Sequence, residues 1–295
     1  MFDLARLRLL RELADRGTMT AVGAAFGQTS SAVSQQLAIL EREARAKLLE
    51  RVGRRVRLTA EGERLALHAD TILQAVVAAE QDLKGAKEQP KGVLEVCCFP
   101  TFAKARLLPA IALARKRYPE LRVIIHELES ADAIAAVRDG RCHLAISFSY
   151  SLVPQPDIPG LVSHALIDEP VVLALPKRWR RERQPIALKR LAREDWIIGS
   201  RQTDDRQLAE RACALAGFAP RMTHTIDDYD LMLRMVAAGL GVGFVPELAL
   251  GFSDTKAVAL RTPSGIPLLR RRIHALTRST LTASPMVRAL LAELG

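Results

Sequence analysis

A run of hydroxyl and amide side chains near the N-terminus has the chemistry needed to contact the edges of DNA bases. Gly27 interrupts an alanine-rich helical pattern (Thr20–Phe26), and a second helical pattern begins near Thr29, whose hydroxyl can cap it by accepting a backbone N–H bond. The side chains that we expect to contact DNA are Thr29, Ser30, Ser31, Ser34 and Gln35. Short polar groups of this kind bind base edges and phosphates without desolvating a charge.

A strongly basic stretch follows these two helical patterns. Its only acidic residues are Glu43 and Glu50, against seven basic ones: Arg42, Arg45, Lys47, Arg51, Arg54, Arg55 and Arg57. Gly53 allows a hairpin tip, so we expect Arg54 and Arg55 to lie on a wing that grips phosphates or enters a minor groove. The alternative is an ordinary three-helix unit with a solvated charged face.

Apolar residues define the scaffold beneath the polar face. Val33, Leu37 and Leu40 recur at helical spacing and are predicted to face inwards. An earlier helix can be supplied by Leu4, Leu7, Leu10 and Leu13. The pattern predicts an all-α winged helix-turn-helix over residues 1–58.

The run from Leu4 to Gly62 contains SSAVSQQLAILERE and KLLERVGRRVRLTAEG, and it resembles the N-terminal domain of LysR-type transcriptional regulators. The resemblance implies sequence-specific binding to double-stranded promoter DNA, regulation of transcription, and RNA polymerase as a further partner. Ser30 stands where family members often carry Gln, and Gln35 stands where they often carry Arg or Lys. The preferred DNA sequence therefore cannot be taken from relatives.

Residues 59–89 show one long helical pattern that ends before Pro90 and Gly92. Its apolar positions alternate in steps of four and three residues, at Leu65, Ala69, Ile72, Val76, Ala79 and Leu83. This heptad seam and a length of about 40 Å favour packing against a second copy. In LysR-type proteins this helix is the dimerisation element, which implies a homodimer or a dimer of dimers (a homotetramer). The alternative is that the stripe packs on the chain's own second domain.

From Val93 onward, strands alternate with helices, which predicts an α/β domain with a mainly parallel sheet. The predicted strands are Val93–Cys98, Leu121–Leu128, His143–Phe148, Val171–Leu175, Trp196–Ile198 and Ile273–Thr277. The predicted helices include Phe102–Tyr118, Asp132–Arg138 and Arg206–Ala216. Residues 92–295 resemble the effector domain of the same family, a two-lobed fold like that of periplasmic binding proteins. Lobe one is assigned to residues 92–164 and 266–295, and lobe two to residues 165–265.

Ligands in open α/β folds bind at the carboxyl ends of strands, near helix N-termini. This rule and the family resemblance give the candidate effector-binding residues Thr101, Phe102, Ser130, Ser147, Ser200, Arg201 and Thr203. The alternative for each is helix capping or an exposed loop. A carboxylate, an amino acid, an aromatic acid or another small anion would suit Thr101 and Arg201. We expect Arg270, Arg271 and Arg272 to form a solvated strand start.

Composition limits the other function classes. Forty-three basic residues against 33 acidic ones give a net charge of +10, which suits a polyanion, either nucleic acid or an anionic membrane surface. No secretory signal or membrane span is recognised, so a cytoplasmic location without membrane partners is expected. The four cysteines have no metal-ligand spacing and no evident disulfide framework, and we expect reduced thiols rather than a redox switch. No metal site is expected.

Two rival functions remain open beside the regulator. One is a ligand-binding or protein-interaction module whose DNA domain is vestigial. The other is a cytosolic enzyme using the α/β lobes, which the absence of a nucleophile elbow, a phosphate-binding glycine loop and an HExxH motif disfavours. We therefore expect no enzyme and no cofactor, only a small-molecule co-inducer whose identity, like the choice between activation and repression, the sequence does not give.

Overall fold

The structure is a computed structural model that describes residues 1–52, 55–84, 89–154, 158, 160–200 and 204–295. Among the predicted site residues, Arg54, Arg201 and Thr203 lie outside the described residues, as do the side chains of Arg55 and Leu83.

The N-terminal unit consists of three helices and a two-stranded antiparallel wing. In chain order the elements are α1 (Leu4–Arg16), α2 (Met19–Phe26), α3 (Ser30–Ala44), β1 (Leu49–Val52) and β2 (Arg55–Leu58). Each helix start is capped by a side-chain oxygen, from Asp3, Thr18 and Thr29 respectively. The chain leaves α1 at Gly17 and α2 at Gly27 in the left-handed conformation, at φ 71° and 65°, which glycine adopts without steric cost.

One apolar core holds this unit together. Its fully buried members come from all three helices, from the start of the wing and from the helix that follows: Leu7, Leu10, Leu13, Val22, Val33, Leu37, Leu40, Leu48 and Ala69. Val33, Leu37 and Leu40 are buried as their spacing predicts. The winged helix-turn-helix is thereby confirmed.

The linker helix α4 (Ala60–Lys84) packs along α1. Ala69 is fully buried in the core of its own chain, and Leu65 and Ile72 pack against the same core. The prediction that Ala69 contacts a partner chain is therefore wrong, because the first turns of the seam already have an intrachain partner. Farther along, Val76 is half-buried and Ala79 is exposed.

The second domain alternates strands and helices. Its strands are β3 (Gly92–Cys98), β4 (Leu121–Glu127), β5 (Leu144–Tyr150), β6 (Leu161–Pro176), β7 (Ile186–Ala187), β8 (Asp195–Ile198), β9 (Arg221–Thr225), β10 (Gly243–Pro246), β11 (Val258–Arg261), β12 (Pro263–Ser264) and β13 (Arg270–Arg278). Its helices are α5 (Pro100–Phe102), which continues through a π-helical turn into α6 (Leu108–Arg117), α7 (Ser130–Arg138), α8 (Asp204–Leu215), α9 (Tyr229–Ala237), α10 (Glu247–Leu250) and α11 (Pro285–Leu294).

The main sheet has the order β10-β6-β13-β5-β3-β4, with β11 also paired to β6. Only the β3–β4 and β3–β5 pairs are parallel, whereas β6 and β13 make antiparallel pairs throughout. The prediction of a mainly parallel sheet is therefore wrong for this sheet, because β13 and β6 pair antiparallel with every neighbour and β6 continues from lobe one into lobe two. Up to Pro170, β6 pairs with β13; from Val171 onward it pairs with β10 and β11.

The structure joins Cys97 and Cys142 in a disulfide, with Cα atoms 6.5 Å apart and a sequence separation of 45 residues. The expectation of reduced thiols is wrong for this pair. Cys97 lies on β3 and Cys142 directly precedes β5, and the proximity of these neighbouring strands is not visible in the sequence spacing. Cys98 and Cys213 are buried free thiols. Among the described residues, no helix combines the length and apolar composition needed to cross a bilayer.

The two domains meet at an ionic contact on the linker helix. Asp70 of α4 forms an ion pair with Arg11 of α1, at 3.3 Å, and lies 4.0 Å from Arg278, the last residue of β13. Arg278 is itself almost fully buried, and its Nη1 donates to the carbonyl of Val137 at 2.8 Å. One carboxylate of the linker helix is thus shared between the DNA-binding unit and the second domain.

Candidate functional site

The first turns of α3 present the predicted polar face to solvent. Ser30, Ser31, Ser34 and Gln35 are exposed, while the opposite side of the helix is buried in the core. Thr29 Oγ1 accepts the N–H of Ala32 at 3.1 Å, so the predicted helix cap is confirmed. Because this helix end is capped and packed, the exposed side chains are held at fixed positions on a rigid element.

The base of the wing is fixed to α3 and to α4. Glu41 Oε1 accepts the backbone N–H groups of Leu48 and Leu49, at 2.9 and 3.1 Å. The hydroxyl of Thr59 donates to the carbonyl of Lys47 at 2.7 Å and accepts the N–H of Gly62 at 3.0 Å. These bonds explain the Leu-Thr-Ala-Glu-Gly sequence: its threonine caps α4 and holds the wing in one position.

Gly62 permits this close approach, and we expect Gly62→Ala to loosen the wing. A Cβ at position 62 would stand 2.1 Å from the carbonyl oxygen of Leu48, which is backbone and cannot rotate away. We expect a local destabilisation of about 1–3 kcal/mol. Amide hydrogen exchange of peptides covering residues 48–73 measures it directly. Gly251→Ala is the matched control, because its Cβ would meet only Leu248 O at 3.7 Å. Equal protection in both variants would contradict the packing described.

A cavity of about 250 Å³ lies between the two lobes of the second domain. Lobe one contributes the ends of its strands and the segment after β3, with Phe99, Pro100, Thr101, Lys104, Glu127, Glu129, Phe148 and Arg271. Lobe two contributes the helix starts and the segment after α10, with Asp205, Asp227, Asp228, Tyr229, Asp230, Ala249, Phe252 and Ser253. The location at carboxyl ends of strands is the one expected for a ligand site in an open α/β fold.

The candidate effector residues are only partly brought together. Thr101 lines the cavity, as predicted. Phe102 is fully buried in the core and does not line it, so that prediction is wrong. Ser130 is buried and its Oγ accepts the N–H of Phe148 at 3.0 Å, which is a structural role. Ser147 is also buried and lies outside the cavity wall. The N–H of Ser200 donates to Asp227 Oδ1 at 2.7 Å.

Sequence analysis missed the side chain that organises the cavity. Arg271 is 1% exposed, and its Nε donates to Glu169 Oε1 at 2.7 Å. Its guanidinium lies 5.2 Å from the ring centre of Phe99 and 5.3 Å from that of Phe148. The predicted solvated strand start is therefore wrong for Arg271. On β13, Arg270 and Arg272 face the other side of the sheet, as strand alternation requires.

A hydrogen-bonded group links the lobes beside the cavity. Asp205 Oδ1 accepts the hydroxyl of Tyr150 in a short bond and that of Tyr229 at 2.9 Å. Burial raises the pKa of Asp205, although the Tyr150 hydroxyl and Arg271 act in the opposite direction. Tyr150 belongs to lobe one and the other two residues to lobe two, so this group joins one lobe to the other.

Glu129 has a strongly perturbed carboxyl group in the cavity wall. Burial, together with the neighbouring carboxylates of Asp205 and Asp227, raises its pKa to about 7, although Arg271 acts in the opposite direction. Within the described residues, the side-chain carboxylates of Glu127 and Glu129 make no hydrogen bond and no ion pair. In the part of the chain that the structure describes, these two acidic groups of the cavity therefore have no directly bonded basic partner.

Comparisons with known proteins identify both domains. Residues 4–63 match the family model of bacterial regulatory helix-turn-helix proteins of the lysR family, and residues 87–295 match the LysR substrate binding domain. The chain is 27% identical to the transcriptional dual regulator GltC of Bacillus subtilis, covering 92% of this chain and 89% of GltC. It is 30% identical to a probable hydrogen peroxide-inducible genes activator of Streptomyces viridosporus, covering 88% of this chain and 82% of that one.

The fold as a whole has solved counterparts. A full-length OxyR variant from Pseudomonas aeruginosa superposes with a TM-score of 0.77 at 20% identity, covering 100% of this chain and 98% of that chain. The winged helix-turn-helix followed by a two-lobed α/β domain is thereby confirmed as one known architecture. The relatives above are named as regulators and activators of genes, not as enzymes.

Proposed function

The chain belongs to the LysR family of transcriptional regulators, and from this premise we propose which residues bind DNA, which bind the effector and how the two are coupled. The class itself provides a helix-turn-helix DNA-binding domain and a substrate-binding domain. The observation that carries the detailed proposal is the exposed, capped polar face at the start of α3, next to a wing with a fixed base.

DNA recognition is assigned to two surfaces. Ser34 and Gln35, with Thr29, Ser30 and Ser31, enter the major groove, where hydroxyl and amide groups distinguish base edges. Arg54 and Arg55 of the wing contact phosphates or the minor groove. Support comes from the exposure of the α3 side chains and from the excess of basic residues around the wing.

The division of labour along the chain follows the three predicted zones. Residues 1–58 bind DNA, residues 59–89 link and dimerise, and residues 92–295 bind the effector. Dimerisation is assigned to the later part of the linker seam, Val76, Ala79 and Leu83, because the earlier part is buried within its own chain. A homodimer or a dimer of dimers then places two recognition helices on an interrupted palindrome.

A small molecule in the inter-lobe cavity controls promoter binding in this proposal. By binding one arrangement of the lobes more tightly than another, it shifts the population of assemblies and with it the spacing or bend of the DNA. A ligand with equal affinity for both arrangements would change nothing. RNA polymerase at the promoter is the last of the proposed partners. The proposed location of the protein and its partners is the cytoplasm.

The Streptomyces relative is named as a peroxide-inducible activator, which suggests peroxide as an alternative signal. The two free thiols of this chain do not favour that alternative. Cys98 and Cys213 are both buried. Burial raises the pKa of Cys98 well above its usual range and raises that of Cys213 to about 12. Peroxide reacts with thiolates, so neither free cysteine is activated for it. We therefore favour a bound ligand as the signal.

Selection of binding sites from random DNA with the purified full-length protein tests this function. We expect enrichment of an interrupted palindrome, and an affinity for it that falls steeply as salt increases, because phosphate contacts release counterions. The double variant Arg54→Ala and Arg55→Ala should lose affinity for all sequences together. If a folded, dimeric protein enriched no sequence at moderate salt, the assignment of the DNA-binding residues would be wrong. The rival interpretation, a binding module with a vestigial DNA domain, would then be favoured.

A further inference from the structure

The walls of the inter-lobe cavity are unusual for a protein with a net charge of +10. Among its described lining residues are six carboxylates, Glu127, Glu129, Asp205, Asp227, Asp228 and Asp230, and two basic side chains, Lys104 and Arg271. Acidic groups are thus concentrated in the wall of this inter-lobe cavity, although basic residues outnumber acidic ones in the chain as a whole.

One of the two basic groups is already neutralised. Arg271 is paired with Glu169, a buried carboxylate that does not line the cavity. Its guanidinium is held by the rings of Phe99 and Phe148 and donates to Thr101 Oγ1 at 3.4 Å. Arg271 is therefore no free anchor for an anion, which would also have to approach through the surrounding carboxylates.

The carboxylates differ in what they already bind. Asp230 pairs with Arg234 at 2.8 Å, and Asp205 accepts two tyrosine hydroxyls. Asp228 caps α9 by accepting the N–H of Leu231 at 2.7 Å. Among the described residues, Asp227 accepts one hydrogen bond, from the backbone N–H of Ser200. Asp227 and the unpaired Glu127 and Glu129 thus have acceptor capacity that faces the cavity, and they come from both lobes.

The cavity also offers aromatic surface. Tyr229 and Phe252 of lobe two line it, and 46% of the Phe252 side chain is exposed. Aromatic faces attract cations and also cover apolar groups. Within the described residues, no three His, Cys, Asp or Glu side chains converge as a metal site would require. An organic cation therefore suits these walls better than a bare metal ion.

We propose that the effector of this regulator is an organic cation, an amine or a guanidine. Its charged group binds Glu127, Glu129 and Asp227, and its apolar part lies against Tyr229 and Phe252. This inference rests on the proposed function, since it names the ligand class of the same cavity. It replaces the small anion expected from Thr101 and Arg201, and it explains why, among the described residues, acidic side chains of both lobes line a cavity whose basic groups are Lys104 and the already paired Arg271.

Binding of a cation should release a proton, whereas binding of an anion should take one up. Glu129 has a pKa of about 7, so it is partly protonated in the empty cavity at neutral pH. A bound cation favours the ionised form, lowers this pKa and releases a proton, and its affinity rises between pH 6 and pH 8. A bound anion raises the pKa further and takes up a proton, and its affinity falls over the same range.

Two pairs of probes of equal size and opposite charge test the proposal on the full-length protein. Phenethylamine is compared with 3-phenylpropionate, and cadaverine with pimelate, by calorimetric titration in buffers of different ionisation enthalpy. We expect at least one ammonium probe to bind with proton release. Glu127→Gln and Glu129→Gln should each weaken this binding about tenfold, the usual loss when a charge-assisted hydrogen bond is removed. Glu120→Gln, at an exposed turn outside the cavity, is the matched control.

The outcomes separate this inference from the function on which it rests. Preferential binding of a carboxylate probe, or binding of neither ammonium probe, overturns the cationic effector. Ammonium binding that Glu127→Gln and Glu129→Gln leave unchanged also overturns it, because the site would lie elsewhere. Enrichment of a DNA site by the unliganded protein is measured in a separate experiment. That experiment tests the proposed regulator function, and the charge of the ligand does not affect its outcome.

Discussion

Replacing Arg271 with methionine is expected to lower the free energy of unfolding of the effector domain by about 3–5 kcal/mol. The change removes one partner of a buried ion pair and leaves the carboxylate of Glu169, which is 3% exposed, without a counter-charge. It also removes the guanidinium that lies against the rings of Phe99 and Phe148, which themselves contact each other edge to face. Urea denaturation followed by tryptophan fluorescence measures the loss, because both tryptophans, Trp179 and Trp196, belong to this domain.

Two further variants make this expectation specific to the buried pair. Arg272→Met changes an exposed arginine of the same strand that lies 4.0 Å from Asp168, and such exposed pairs contribute at most about 1 kcal/mol. Adding Glu169→Gln to Arg271→Met should restore part of the stability: it removes the uncompensated charge but keeps an acceptor for the N–H of Leu248. Equal losses for Arg271→Met and Arg272→Met would show that burial of the pair is not what matters.

Gln35→Glu is expected to weaken binding to the selected DNA site by about 5- to 150-fold, the equivalent of about 1–3 kcal/mol for one base contact. The substitution nearly preserves shape but removes the amide donors and adds a negative charge facing the phosphates. The exposed position makes a folding defect unexpected. Fluorescence anisotropy with a labelled operator measures the affinity, and a repeated site selection shows whether the preferred base changes.

Gln89→Glu is the control for charge alone. It makes the same chemical change at an exposed position just before β3, outside the DNA-binding unit. The affinity of this variant should stay within twofold of the parent protein, a change of about 0.4 kcal/mol. If Gln35→Glu bound DNA as tightly as Gln89→Glu, the polar face of α3 would not be the reading surface.

The N-terminal unit could be predicted almost completely, because its signals are local. Thr29 caps the helix that begins one residue later, Gly27 adopts the left-handed turn, and Val33 and Leu37 are buried at the spacing that places them inside. Each of these features depends on residues within one or two helical turns. No tertiary information is needed to infer them from the chain.

The cavity could not be predicted to the same extent, because its wall combines separate segments. Sequence analysis selected Ser147, but the strand turns that side chain away and presents Phe148, and the alternation of a strand does not say which set faces the ligand. Likewise Thr101 lines the cavity while its neighbour Phe102 enters the core. For Arg271 the sequence contains part of the answer, because strand alternation places it on the opposite face from Arg270 and Arg272. Its partner Glu169, however, lies 102 residues away in the chain, so the buried ion pair is not visible in the sequence.

Strand β13 gives the molecule a direct mechanical connection. It is hydrogen-bonded along both edges, to β5 and to β6, with one irregularity in its register with β6 between Ile273 and His274. Arg271 near one end lines the cavity, and Arg278 at the other end, about 23 Å away at ~3.3 Å per residue, faces Asp70 of the linker helix. A ligand that shifts Arg271 along the strand is therefore expected to shift Arg278 and its contact with Asp70 as well. Such coupling would need no wide opening of the two lobes.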